Sequence, residues 1–359
     1  MALDFVTNEE VVQAARKNVF QGVWDYLVGG AETETTFRRN RLAFDRLAFR
    51  PRVLVNVSGI DTSTTLLGHK LRIPVVLAPI GSLQVFTPEG GVASSKAANE
   101  FGIMHVVSSA TEPSLEEIAA ANPGPKVYQL YIRGDDAWVE DRLKRMIDSG
   151  YKALCITVDT AVDSIRERPL LSRYAQPTRR RDPMEREYSK KVTWDTVMRY
   201  KQRTGLPLLV KGIATAEDAD LAVQCGVDVV WVSNHGGRQL DHGLGSMDTL
   251  PEIAQAVAGR AEIILDGGVN RGSDVLKALA LGANAVAIGR LQGYGLAAGG
   301  KDGLLRALEI LEGEIRSAMG LMGVTRMSQL NPRYLAKAEP VTPPHEHSAW
   351  VNMPGGRVR

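Results

Sequence analysis

The sequence predicts an α/β fold, a (β/α)8 TIM barrel with an N-terminal helical extension and a lid loop after the fourth strand. Three observations carry that expectation. Eight short apolar runs recur along the chain, each closing on glycine or polar residues. Helix-like segments lie between many of them. Val and Ile fill both faces of most runs, as a parallel sheet covered on both sides requires.

The runs are Ile73–Ile80, Ile103–Ser109, Val127–Ile132, Ala153–Asp159, Leu206–Ile213, Val227–Asn234, Glu262–Gly268 and Ala283–Arg290. The intervening helical segments are Ser114–Ala121, Ala137–Ser149, Thr215–Cys225, Thr249–Val257 and Gly272–Leu281. Ser114 stands three residues before Glu117, and Thr215 three before Asp218, which resembles the capping box of a helix start. An open doubly wound sheet is the competing arrangement, but no GxGxxG follows the first run. Residues 1–72 read as helices over Asn8–Val28 and an irregular arm through Phe49-Arg50-Pro51-Arg52. The stretch from Thr160 to about Lys191 is the long connection, rich in arginine. A loop of that length is a lid over a site or a disordered segment, and its run Arg179–Arg181 reads as solvated. The proline-rich tail from about Leu330 is expected to wrap a subunit or stay mobile. Residues 1–359 are expected to form a single domain, with the barrel over about 73–320.

Lys and Arg number 43 against 41 Asp and Glu, a net charge of +2 that argues against a general nucleic-acid binder. No apolar run approaches the ~18 residues of a membrane span. Met1-Ala2-Leu3-Asp4-Phe5 lacks the basic and apolar parts of a signal peptide. Only Cys155 and Cys225 occur, both in apolar stretches and read as buried thiols, which speaks against a disulfide framework or a zinc site. A reduced, cytoplasmic enzyme without a metal is the expectation.

Barrels carry chemistry on the face where their strands end. The residues there are Gly81; Ser108 and Ser109; Gln129 and Tyr131; Thr157 and Asp159; Lys211; Asn234-His235; Asp266-Gly267-Gly268; and Gly289-Arg290. The last two turns read as a phosphate site, because glycines let backbone N–H groups approach an anion and Arg290 adds charge. Tight turns alone are the other reading. In Ser233-Asn234-His235-Gly236-Gly237-Arg238-Gln239 the imidazole reads as a base near neutral pH. Arg238 offers a planar fork for a carboxylate, Arg166 a second one, and Asp159 can fix the His235 tautomer. Lys211 reads either as a Schiff-base lysine or as a fixed positive charge facing an anionic ring.

These residues resemble the FMN-dependent α-hydroxy-acid oxidase and dehydrogenase family over roughly residues 5–325. The resemblance is strongest in Ser233–Asp241. It extends to Asp25-Tyr26 before Gly29-Gly30-Ala31, Phe49–Arg52, Leu77-Ala78-Pro79, Gln129-Leu130-Tyr131, Thr157-Val158-Asp159, Leu209-Val210-Lys211-Gly212 and Leu265–Val269. It implies FMN as cofactor and oxidation of an L-2-hydroxy acid to the 2-keto acid, with O2 reduced to hydrogen peroxide. It implies His235 as the catalytic base, with Asp159 as its partner. Tyr26, Arg166 and Arg238 would hold the substrate carboxylate, and Tyr131 would contact the hydroxyl oxygen. Lys211 would stabilise the anionic reduced ring, which disfavours the Schiff base. Ser108, Gln129 and Thr157 would bond the isoalloxazine beside Pro79, Ile80 and Gly81. Asp266 would hold the ribityl chain, and Gly268, Gly289 and Arg290 the phosphate end. Ser233, Gly267 and Asn270 complete the expected cofactor set. A homotetramer follows from the same resemblance.

Three departures stand out. Asn270 replaces an arginine usual after Asp-Gly-Gly-Val, so one phosphate charge is missing and Arg271 is expected to point elsewhere. The lid after Arg166 is short and reads Pro169-Leu170-Leu171. Ala110 stands where glycolate oxidases carry a tryptophan, which opens the substrate pocket and favours lactate, aryl or longer aliphatic acids over glycolate. Asp163 is expected near that pocket. A dehydrogenase passing electrons to a quinone or another acceptor is the alternative. An FMN-dependent isoprenoid diphosphate isomerase is more remote, because it has no need of Arg166 and Arg238 around a histidine. A flavin-binding protein without turnover is disfavoured by the intact base, clamps and lysine.

Overall fold

The computed structural model describes residues 3–177, 183–341 and 349–350. Eight parallel strands close into a barrel in chain order: β1 (Val75–Leu77), β2 (Met104–Ser108), β3 (Lys126–Leu130), β4 (Ala153–Thr157), β5 (Leu208–Ile213), β6 (Val229–Val232), β7 (Glu262–Leu265) and β8 (Ala285–Ile288). The pairing of Val286 with Val75 completes the ring. Strand side chains alternate in direction, and the burial follows that alternation. Val76, Met104, Val106, Cys155, Leu209, Trp231 and Ile264 fill the barrel interior. Val75, Leu77, Val107, Leu154, Ile156 and Leu265 pack against the surrounding helices. Both faces are therefore dry, which is why the runs look continuously apolar.

The hairpin Thr64–Leu66 and His69–Leu71 sends Leu66 and Leu71 into the interior cluster and closes the barrel on the side away from the strand ends. The expected N-terminal helices form as Asn8–Asn18 and Gln21–Val28, followed by a third helix, Thr35–Asp45. After β8 comes the helix Arg290–Met322, broken at Gly299–Gly300. Asn18 Nδ2 donates to Ala297 O and Ala298 O at 3.1 Å each, satisfying carbonyls at the break. Ser114 and Glu117 form the reciprocal capping box, whereas Thr215 Oγ1 accepts from the Asp218 N–H and donates to the Asp218 carboxylate.

Several expectations change. The arm at Phe49 is partly a strand, because Leu47–Phe49 pairs antiparallel with Leu335–Lys337 of the tail. The tail is thereby anchored rather than loose at that point, and Trp350 is 1% exposed. The lid carries two helices, Glu167–Leu171 and Pro183–Ser189. Arg168 in its first helix grips Glu34 with bonds of 2.7 and 2.6 Å. Arg179–Arg181 lie outside the described residues. Cys155 is buried as expected, but Cys225 ends a helix half-buried. Among the described residues, no helix is long and apolar enough to cross a membrane.

Candidate active site

A cavity of about 550 Å³ opens at the C-terminal ends of the strands. Tyr26, Pro79, Ile80, Gly81, Ala110, Tyr131, Arg166, Lys211, His235, Arg238, Asp266, Gly267, Gly268, Asn270, Gly289 and Arg290 line it, so sixteen expected residues from separate segments meet there. Ser108, Gln129, Thr157, Asp159 and Ser233 lie behind this lining, buried or nearly so.

His235 follows β6 and takes φ +57°, a strained conformation for a side chain of its size, with Gly236 and Gly237 also left-handed. The turn packs against the helix Thr35–Asp45 so closely that a Cβ on Gly237 would stand 2.5 Å from Phe37 Cα. The imidazole is thereby turned toward Asp159, whose Oδ1 lies 2.9 Å from His235 Nδ1. A bulge in β5 at Lys211–Ile213 makes room for that carboxylate, since a Cβ on Gly212 (φ +117°) would come within 2.8 Å of Asp159 Cβ. Burial works against the ionised Asp159, but His235 and Lys211 outweigh it and hold the carboxyl below its ordinary range. An ionised carboxylate only accepts, so Nδ1 carries the proton and Nε2 is the basic nitrogen. Burial pulls the His235 pKa below 6.5; Asp159 opposes this, while Lys211 and Arg166 reinforce it.

Lys211 Nζ donates to Ser233 Oγ at 3.0 Å and lies 3.4 Å from Asp266. Burial disfavours the ammonium, but Asp266 and Asp159 raise its pKa above the ordinary lysine value. That is a permanent cation, not a nucleophilic amine. Ser233 Oγ in turn donates to Asp266 Oδ1 at 2.7 Å and accepts from the His235 N–H at 3.0 Å. Trp231 Nε1 donates to Asp266 Oδ2 at 3.1 Å. Asp266 is thus first an anchor for Lys211, Ser233 and Trp231.

Arg238 donates to Gly29 O at 2.7 Å and lies over the Tyr26 ring. Arg290 donates to Gly236 O and Gly29 O at 3.0 and 2.9 Å. Neither has a carboxylate partner among the described residues. Burial, reinforced by Arg290, lowers Arg238 to about 10, so it stays charged at neutral pH. Two half-buried guanidiniums with no ion-pair partner among the described residues make the cavity a place for anions. Arg166 is held by Ser164 Oγ at 3.1 Å, a residue with no motif of its own in the sequence, and by Oε1 of Gln239 in the His235 stretch at 2.9 Å. Tyr26 donates its hydroxyl to Gly81 O at 2.8 Å, so it also fixes the β1 turn. Burial raises the Tyr131 pKa, keeping the phenol neutral.

The two glycine turns differ. The N–H groups of Asn270 and Arg271 both donate to Asp274 Oδ2 at 2.9 Å, and Arg41 clamps Asp274 from the other side at 2.7 Å. That helix start is already capped. Arg271 pairs with Glu314 at 2.9 Å, away from the cavity, as expected. Gly289 instead begins a long helix, and a Cβ there would meet no protein atom within 4 Å. An open cradle beside a helix N-terminus and Arg290 fits a phosphate. Gln129 Nε2 and Thr157 Oγ1 are buried without a hydrogen-bond partner among the described residues, which fits the polar edge of a heteroaromatic ring.

Residues 15–337 match the family described as FMN-dependent dehydrogenase. The chain belongs to this FMN-dependent α-hydroxy-acid oxidase and dehydrogenase family, and FMN is its cofactor. It is 37% identical to an L-lactate oxidase of Nostoc sp., covering 91% of this chain and 96% of the relative. It is 38% identical to glycolate oxidase 1 of Oryza sativa subsp. indica, covering 92% and 95%. A crystal structure of mandelate oxidase superposes with a TM-score of 0.87 at 36% identity, covering 94% of this chain and 99% of that one.

Other wall residues escaped the sequence reading. Phe37, Phe86 and Tyr294 contribute rings, the second lid helix contributes Glu185, Arg186, Glu187 and Ser189, and Lys190 follows it. Asp163 lines the cavity as expected and is joined to Arg186 at 3.0 Å. Only the clustering of charge along the lid hinted at this.

Proposed function

We propose that the protein oxidises (S)-2-hydroxy acids to 2-keto acids, with dioxygen as final acceptor reduced to hydrogen peroxide. The observation that carries the reading is the His235–Asp159 pair in one cavity with two half-buried guanidiniums, Arg238 and Arg290, that have no carboxylate partner among the described residues. Arg238 and Arg166 offer forks for the substrate carboxylate, and Tyr26 and Tyr131 stand beside it. Nε2 of His235 takes the proton released on oxidation, and Asp159 stabilises the imidazolium so formed. FMN, when bound, supplies the two-electron acceptor for the α-carbon. Lys211 holds a fixed positive charge, and Ser108, Gln129 and Thr157 offer hydrogen-bonding groups to the cofactor's ring. Gly289 and the first turn after it receive the phosphate.

Ala110 leaves room where a large ring would narrow the pocket, which supports lactate, aryl or longer aliphatic acids over glycolate. The homotetramer belongs to this reading too. Anaerobic mixing with glycolate, lactate, mandelate and a long-chain 2-hydroxy acid tests it. Bleaching of the flavin by one or more of the larger acids, and peroxide formation on admitting air, is the expected result. No bleaching by any 2-hydroxy acid would overturn the activity. Bleaching without peroxide would transfer the electrons to another acceptor.

A further inference from the structure

The tail beyond Lys337 lies outside the residues matched to the family description, yet part of it packs behind a wall of the cofactor cavity. Trp350 is 1% exposed and meets Tyr294 edge-on, ring centroids 6.2 Å apart. Tyr294 lines the cavity one helical turn after Arg290 and packs on its other side against Trp24, at 5.7 Å. The carbonyl of Ala349 accepts from Arg271 Nη1 at 3.3 Å. Arg271 directly follows Asn270, the cavity residue that stands where the family resemblance implies an arginine. The tail is therefore held at two points: at Tyr294, a cavity-wall ring one turn after Arg290, and at Arg271, on the outer side of the neighbouring helix start.

From these contacts we propose that Ala349-Trp350 closes the phosphate end of the FMN site, and that Trp350 retains the cofactor by backing Tyr294. The inference rests on FMN lying with its phosphate at Gly289. A wall ring held between two tryptophans keeps one position. Without Trp350, Tyr294 faces a void, and water gains access to the phosphate end of a site that Asn270 leaves one charge short. A half-buried guanidinium such as Arg290 acts more strongly on an anion when water is kept out. Trp350 also buries an indole N–H with no hydrogen-bond partner among the described residues, an arrangement a tail resting on the surface would avoid.

The test is titration of the full-length apoprotein with FMN and, separately, with riboflavin, which has no phosphate. Trp350→Ala is expected to weaken FMN roughly tenfold, the equivalent of about 1.4 kcal/mol, and riboflavin less than twofold. Trp350→Phe, which keeps an aromatic ring against Tyr294, is expected to stay within twofold of wild type for both. FMN affinity unchanged in Trp350→Ala would overturn the proposal. So would an equal loss of FMN and riboflavin, which marks general loosening, or a phenylalanine variant as weak as the alanine one. If the wild type binds riboflavin as tightly as FMN, the phosphate assignment at Gly289 fails instead, and the tail inference falls with it.

Discussion

Gly289→Ala separates a glycine kept for a ligand from one kept for the fold. Gly289 has φ −102° and ψ −75°, which an alanine adopts, and its Cβ would enter open space. The helix start loses a little, since alanine is a poorer N-cap than glycine. The unfolded chain loses freedom worth about 0.4–1 kcal/mol, which offsets that loss. The apoprotein is therefore expected to melt within about 3 °C of wild type. The methyl group instead occupies the space a phosphate needs to reach the first-turn N–H groups. Losing one charge-assisted hydrogen bond there removes about 1.5–3 kcal/mol, or roughly ten- to a hundredfold in FMN affinity. Fluorescence titration of the apoprotein measures the dissociation constant, and calorimetry the melting point. An FMN constant within twofold of wild type would refute the placement of the phosphate. A melting point lowered by many degrees would show that the glycine serves the fold.

His235→Gln is expected to retain FMN while losing roughly 10²–10⁴-fold in flavin reduction measured by stopped flow, and Asp159→Asn to slow it in the same direction; normal reduction in either would dismiss that residue's role. The base must be neutral to take a proton, and burial with Lys211 and Arg166 pulls its pKa below 6.5. Reduction per unit of substrate concentration is therefore expected to be flat from about pH 7 upward and to fall toward tenfold per pH unit on the acid side; a limb still rising through pH 8 would contradict the neutral imidazole. Ala110→Trp is expected to move preference toward glycolate by at least about tenfold over mandelate, on the scale of a hydrophobic pocket contact, and an unshifted ratio of kcat/KM values would remove Ala110 from the pocket.

What could be read from the chain alone followed from periodicity and strand ends. The eight runs declared themselves because both faces of β1–β8 are dry, so Val76 inside and Val75 outside are equally apolar. The floor of the site was legible for the same reason, because Lys211, His235, Asp266 and Gly289 close apolar runs. Its walls were not. Phe37 and Tyr294 sit in helices where an aromatic reads as core. Ser164 and Gln239 act through side-chain contacts to Arg166 and to the backbone of Arg238 and Asp159 that no local pattern announces, and Trp350 lies in a segment with no period at all.

The two glycine turns show where sequence reasoning stops. Asp266-Gly267-Gly268 and Ile288-Gly289-Arg290 look alike as anion sites, since each supplies glycines before a helix. Donor supply decides between them. Asp274 takes the N–H groups of Asn270 and Arg271, and Arg41 neutralises Asp274 within the protein, so the first helix start has its anion already. Arg41 is more than two hundred residues away in the chain, so no local pattern could announce that the position was filled. Among the described residues Gly289 has no such internal anion beside it, and its neighbour Arg290 hydrogen-bonds to carbonyl oxygens and lies over the Phe37 ring. The charge left over there, not the glycine pattern, points to the phosphate. The same reasoning gives Asn270 its meaning. An arginine at 270 would stand beside a helix start whose N–H groups are already taken, so its contribution to FMN would be its side-chain charge alone. That is the contribution a closed, dry phosphate end can partly replace.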